Sequence, residues 1–260
     1  MPTSPQSSAS PMEGYWFDLP DASDTLIRNG NHVRLPTAAP PWMVVDQAIA
    51  SITIGSRWPG QLWRVRVQEL GDMSGLVAQP GYWRAAAIEL LEALPLSTLF
   101  GAHGEAVLTI LTCINGLTRA QAEALAQNVD PHAAAAYGQA WIRWAQAGGD
   151  TRSADPGEWQ GTLAASRGRD KERSPIHSGF LLIHTQLRQR AKAIDGDDAF
   201  VLIEEDGETE QVLSPLWQQA CDALLFAAMA QGAPQYVLAD EARALNRAWD
   251  AALGLATPPV

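Results

Sequence analysis

The stretch Leu99 to Val107, LFGAHGEAV, sets a histidine and a glutamate among glycines just before an apolar run. A histidine in such a loop has the type and the place of a general base, and a base needs an orienting carboxylate. Its neighbours follow from local rules: Gly101 and Gly104 suit a turn, and Glu105 falls in a first helical turn, where negative charge suits the helix dipole. His103 is the residue those rules leave over. His177 and His184 stand seven apart. That is about 10 Å along a helix axis, and opposite faces of a strand. Neither geometry brings both onto one ion, and HExxH is absent, so no metal site is expected. Asp195 to Asp198, DGDD, has the opening of a calcium loop without its later glycine and closing glutamate, and reads as a turn. No Gly-rich phosphate loop and no GxSxG elbow occurs, and no cofactor is expected.

Three further segments stand in an order that resembles the ADP-ribosyltransferases. WRVRV offers Arg64, LST offers Ser97 and Thr98, and ETEQVL offers Glu208 and Glu210 just before apolar residues. That family places an arginine or histidine on an early strand, a Ser-Thr segment on a later one, and an ExE near a final strand. The resemblance implies a transferase with Arg64, Ser97, Glu208 and Glu210 at its site. Two departures accompany it: the span from Ser97 to Glu208 is long for the family, and helices follow where its chain would end.

Charge points elsewhere. The net charge is −11, and it is not spread evenly. From Ala193 to Ala242 there is no Lys or Arg, while Asp195, Asp197, Asp198, Glu204, Glu205, Asp206, Glu208, Glu210, Asp222, Asp240 and Glu241 all fall there. Just before it, Arg167, Arg169, Lys171, Arg173, Arg188, Arg190 and Lys192 face only Asp170 and Glu172. An acidic surface keeps a protein soluble and steers basic partners toward it. It disfavours nucleic acid, which needs clustered basic groups at its phosphates.

The elements that must position these residues begin with strands. TLIRNGNHVRL holds two β-prone runs around Asn29-Gly30, the dipeptide of a type I′ turn. LWRVRVQEL alternates, with Trp63, Val65 and Val67 on one face and Arg64, Arg66 and Gln68 on the other. SITIG ahead of Pro59-Gly60 reads as its neighbouring strand. WRAAAIELLEALP fits helix or strand and ends at Pro95. From Gly104 the pattern turns helical. EAVLTILTCI is mostly apolar, and LTRAQAEALAQ opens on a Thr118–Gln121 capping box. DPHAAAAYGQAWIRWAQAGG has Asp130 as N-cap, Pro131 as first residue, Gly148 at its end, and Tyr137, Trp141 and Trp144 on one core-facing stripe. Residues 148–175 lack any sustained period and read as a long loop, with a short helical piece around Trp159. Phe180, His184, Leu187, Ala191 and Ile194 then form the stripe of an amphipathic helix. AFVLIEEDGETEQVL is a hairpin around Asp206-Gly207. Two more helices follow, one from Ser214-Pro215 to Gly232, the other with Ala242, Leu245, Trp249 and Ala252 inward and Gly254 at its end.

The order predicts an α+β fold: an N-terminal antiparallel β-rich half, then a mostly helical half with one hairpin. The expected organisation is a flexible tail over 1–12, a β-rich region with helices over 13–147, the 148–175 loop and a helical region over 176–260, together one compact domain. The hydrophobic fraction of 47% and the ten tryptophans support a sizeable core. Cys113 and Cys221 read as two buried thiols of a reducing compartment. The N-terminus has no basic and apolar signal regions and no run reaches membrane-spanning length, so a cytoplasmic protein is expected. The expected function is binding: an acidic module, of the kind of a bacterial immunity protein that neutralises a basic toxin enzyme, holding its partner with Glu204, Glu205, Asp206, Glu208 and Glu210. The alternatives are an enzyme, either ADP-ribosyltransferase-like or a hydrolase or transferase using His103, and a self-associating scaffold.

Overall fold

The computed structural model describes residues 11–19, 25–52, 54, 58–72, 81–147, 174–177, 179–205 and 208–254. The architecture is α+β, with an antiparallel β unit preceding a helical unit that carries a separate two-stranded sheet. The chain divides into two compact units, Met1–Ile52 with Arg57–Leu96 and Thr53–Ser56 with Ser97–Val260. Most of the 148–175 loop, Trp159 included, lies outside the described residues.

The first unit holds six strands: β1 (Glu13–Asp18), β2 (Ile27–Asn29), β3 (His32–Arg34), β4 (Met43–Asp46), β5 (Gln61–Leu70) and β6 (Tyr82–Leu94). The order β2-β3-β6-β4-β1-β5, with β6 also paired to β5, returns the sheet onto itself as a small barrel. β2 and β3 pair in register across Asn29↔His32, with Gly30 at a φ of 60° carrying the tight turn. β6 resolves the ambiguous alanine-rich segment as a strand. It pairs along both edges, with β5 on one side and β3 and β4 on the other, and that pairing overrides the helical preference of its alanines. The core gathers Trp16, Val33, Met43, Val45, Val65, Val67, Ala85 and Ile88, with Trp63 half-buried beside them.

One expected neighbour is corrected. β5 pairs with β1 and β6, whereas Ile49–Ser51 forms a short 3-10 turn and Ile52 and Ile54 are buried outside any strand. The SITIG segment supplies apolar anchors, with Thr53 and Gly55 outside the described residues.

The second unit contains six described helices: α1 (Gly104–Gly116), α2 (Arg119–Gln127), α3 (Ala133–Gln146), α4 (Gly179–Asp195), α5 (Pro215–Gly232) and α6 (Ala239–Leu253). α5 is apolar on nearly every side, from Trp217 and Cys221 through Leu224 to Met229. A helix of that kind is stable only when enclosed, and α5 touches all five others. The Tyr137–Trp141–Trp144 stripe is core. Tyr137 packs against Phe226 at 5.2 Å between ring centres, Trp141 against Phe180 at 5.3 Å, and Trp144 edge-on to Trp141 at 5.4 Å. The Thr118–Gln121 capping box is present in both directions.

α3 starts later than Asp130-Pro131 suggests. The Asp130 carboxylate accepts the His132 N–H at 2.9 Å and its carbonyl accepts the Ala133 N–H at 2.9 Å, so Asp-Pro-His closes a turn and the helix begins at Ala133. On α6, Leu245, Ala248 and Trp249 are buried, while Ala242 and Ala252 are half-buried. Cys221 is fully buried as expected, but Cys113 only half so.

α3 and α6 are joined by Arg143, which grips both Glu241 oxygens at 2.6 and 2.7 Å and donates to the Tyr236 carbonyl at 2.8 Å. Arg143 holds the Glu241 carboxyl below its ordinary value of 4.5. A lowered folded value means stability that is complete above the unfolded value and lost as pH falls through and below 4.5. Glu241→Gln should lower unfolding free energy by about 2 kcal/mol, the scale of a hydrogen bond between charged groups that are half-buried. Denaturant titrations at pH 7 and pH 3.5 check this: the deficit should shrink at the lower pH.

Candidate functional site

The histidine corner is built by packing. Leu96–Phe100 forms a 3-10 turn, and His103 occupies the N-cap position of α1 without a side-chain cap bond, exposed to solvent. The Ser97 hydroxyl donates to Glu105 at 2.6 Å, which ties the turn to the first helical residues. Gly104 is required by close approach, because a Cβ there would stand 1.8 Å from the Ser97 carbonyl oxygen. Gly104→Ala should therefore cost about 3 kcal/mol through forced backbone displacement, read as a lowered denaturant midpoint with helix content retained. Glu105 is committed to Ser97, and no described contact joins it to His103.

His177 precedes α4 instead of sharing it, at a φ of 50°, while His184 lies within the helix. Burial pushes both imidazoles below their ordinary value. Among the described residues no three His, Cys, Asp or Glu side chains gather as metal ligands. Asp195 closes α4, and Gly196–Ala199 is a 3-10 turn.

The segments that carried the transferase resemblance fall on different elements. Arg64 lies on β5 and pairs with Glu13 at 3.1 Å and Glu92 at 3.3 Å, beside Arg66, which bonds Glu13 at 2.8 Å and Glu89 at 3.1 Å. These are cross-strand neighbours on one face of the sheet. Ser97 and Thr98 lie on the 3-10 turn, not on a strand. Glu208 and Glu210 belong to a strand of the separate two-stranded sheet.

The acidic stretch divides by role. Asp195, 8% exposed, accepts from Arg119 at 2.6 Å and from the Trp217 indole N–H at 2.9 Å. Asp197 pairs with Lys192, and Glu241 with Arg143. Asp222 accepts from Gln218, and burial raises its carboxyl. Asp195 and Glu241 thereby tie helices of this unit together, while the Asp197 and Asp222 contacts are local. The hairpin acids are different: Glu204 and Glu210 are exposed, and no described Lys or Arg pairs with either. Asp206 lies outside the described residues.

The hairpin consists of β7 (Phe200–Glu205) and β8 (Glu208–Leu213), paired antiparallel from Phe200↔Leu213 to Glu205↔Glu208. Its root is anchored: Leu213 is buried, and Arg188 of α4 lies 4.6 Å from the Phe200 ring centre and donates to the Gln211 carbonyl at 2.6 Å. Its middle is apolar and open, with Val201 41%, Leu202 70% and Ile203 38% exposed. Val201 and Ile203 share one face with Glu210, and Leu202 shares the other with Glu204. On each face exposed apolar side chains lie beside a carboxylate that no described cation neutralises, which suits a protein partner, since apolar contact supplies affinity and charge supplies steering. The sequence signalled the acids; the exposure of Val201 to Ile203 was hidden, because an apolar run reads as buried. A second feature absent from sequence reasoning is an open groove of about 820 Å³ between α3 and α6, lined by Asp130, His132, Asp240, Arg243, Arg247 and Asp250. Its Asp130 pairs with Arg247 at 3.2 Å.

No protein-family model, no curated protein and no solved structure matches this chain. No described helix is long and apolar enough to cross a membrane.

Proposed function

We propose that this protein is an acidic binding module that holds a basic protein partner on the β7–β8 hairpin. The observation that carries this reading is the pairing of the exposed Val201–Leu202–Ile203 run with Glu204 and Glu210, which no described cation neutralises. Exposed apolar side chains cost solubility unless something covers them. Carboxylates at the rim select a basic occupant and repel a like-charged one. Elsewhere in this acidic stretch Asp195, Asp197 and Glu241 have cationic partners, which Glu204 and Glu210 lack among the described residues. An inhibitor that occludes a basic enzyme, as an immunity protein does its toxin, is the particular form of this reading.

The test is capture from a native cell extract on the tagged full-length chain, eluted by a salt gradient. A single basic protein, retained in near-equal amount and released only at high salt, is the expected result. Recovery of the bare chain, or of partners whose retention ignores salt, would overturn the proposal.

A further inference from the structure

The hairpin is also an open sheet edge. Among the described residues β7 pairs only with β8, and the parity of that ladder is fixed by one bond at its root. The Ser214 N–H donates to the Ala199 carbonyl at 2.9 Å, in the same register as Phe200↔Leu213 and Val201↔Val212. Bonded and non-bonded pairs alternate in an antiparallel ladder. The bonded pairs are therefore Val201–Val212 and Ile203–Glu210, and Phe200, Leu202 and Glu204 turn their N–H and C=O groups outward. Arg188 agrees with this, since it takes the outward carbonyl of Gln211, the residue opposite Leu202. Arg188 thus occupies the β8 edge at Gln211, while no described residue pairs with the β7 edge.

That edge carries a gradient of chemistry. At its root Arg188 and Lys192 lie over the Phe200 ring, at 4.6 and 5.8 Å from its centre. Leu202 occupies its middle, and Glu204 lies toward the tip, with Glu210 one strand away. We infer that β7 receives an extended segment of the basic partner as a third, antiparallel strand, with an apolar centre beside Leu202 and lysine or arginine beside Glu204. Main-chain bonds to the outward Leu202 and Glu204 groups supply the docking, and the alternating side chains supply the choice of partner. This inference rests on the binding role proposed above and specifies how that role is carried out.

The probe is a short capped peptide, Lys-Lys-Val-Leu-Val-Thr-Glu, titrated into the full-length ¹⁵N-labelled protein with amide exchange followed residue by residue. Binding should protect the Leu202 and Glu204 amides, and a peptide with proline in place of its central leucine should give no protection. Leu202→Pro removes one outward N–H, leaves every charge and every bonded β7–β8 pair in place, and is tolerated on an edge. It should weaken the peptide about tenfold. Should that variant fail to fold, Leu202→Glu decides: attraction by charge alone predicts tighter binding, and strand addition predicts weaker binding. Absence of peptide binding, or binding without amide protection, overturns strand addition. Protection that appears with protein concentration alone overturns it in favour of self-pairing. If the edge variants leave capture of the basic partner intact while reversal of the hairpin charges abolishes it, strand addition is wrong and the binding module stands. If neither change matters, both fall.

Discussion

Replacing Trp217 by alanine should remove about 4 kcal/mol of stability from the helical unit, the range seen for loss of a fully buried tryptophan. Trp217 has no exposed surface, and it stands near the start of α5, the helix every other helix touches. Its removal leaves a cavity under that helix. It also withdraws the indole N–H that donates to Asp195 at 2.9 Å, leaving a carboxylate that is 8% exposed with Arg119 as its described cationic partner. The two losses can be separated. Trp217→Phe keeps most of the volume and drops the donor, so it should cost about 2 kcal/mol, the scale of a lost bond to a charged group. Denaturant unfolding followed by helix signal reads both. If Trp217→Phe proves as damaging as Trp217→Ala, the hydrogen bond outweighs the packing. If both are neutral, α5 is not the centre of the unit.

Reversing Glu204, Glu205, Glu208 and Glu210 to lysine should leave folding intact and lower the rate of partner association by roughly tenfold to a hundredfold at low salt, the scale of electrostatic steering. The side chains at stake that are described, Glu204 and Glu210, are exposed and take part in no described ion pair, so the change should cost little stability. Unfolding midpoints within experimental error of the parent, together with loss of the captured basic protein, is the expected combination. Intact capture would remove the hairpin from the account.

What was legible in the sequence is local. Asn29-Gly30 fixes a two-residue turn from its own backbone preferences, and Thr118 and Gln121 satisfy each other's N–H groups across one helical turn. Tyr137, Trp141 and Trp144 declare a core face by spacing alone. What stayed hidden is set by residues distant in the chain. β6 is a strand because β3, β4 and β5 all bond to it, and no window of AAAIELL contains that information. SITIG lies next to β5 in sequence, but β1 takes the place beside that strand. The acidic stretch has even composition yet divides in space, because Arg119, Lys192 and Arg143 reach some of its members and not others. The binding surface was half visible: its charge is a property of composition, whereas the open edge of β7 exists only once the ladder's parity is known.

The most direct measurement is the association rate between this protein and its captured basic partner as ionic strength rises from about 10 to 300 mM, spanning Debye lengths from about 30 to 6 Å. A steep fall with salt is expected for the parent chain, and a nearly flat response once the hairpin glutamates are reversed. Equal slopes for the two proteins would show that the charge steering the partner lies elsewhere, and would contradict the assignment of the hairpin as the binding surface.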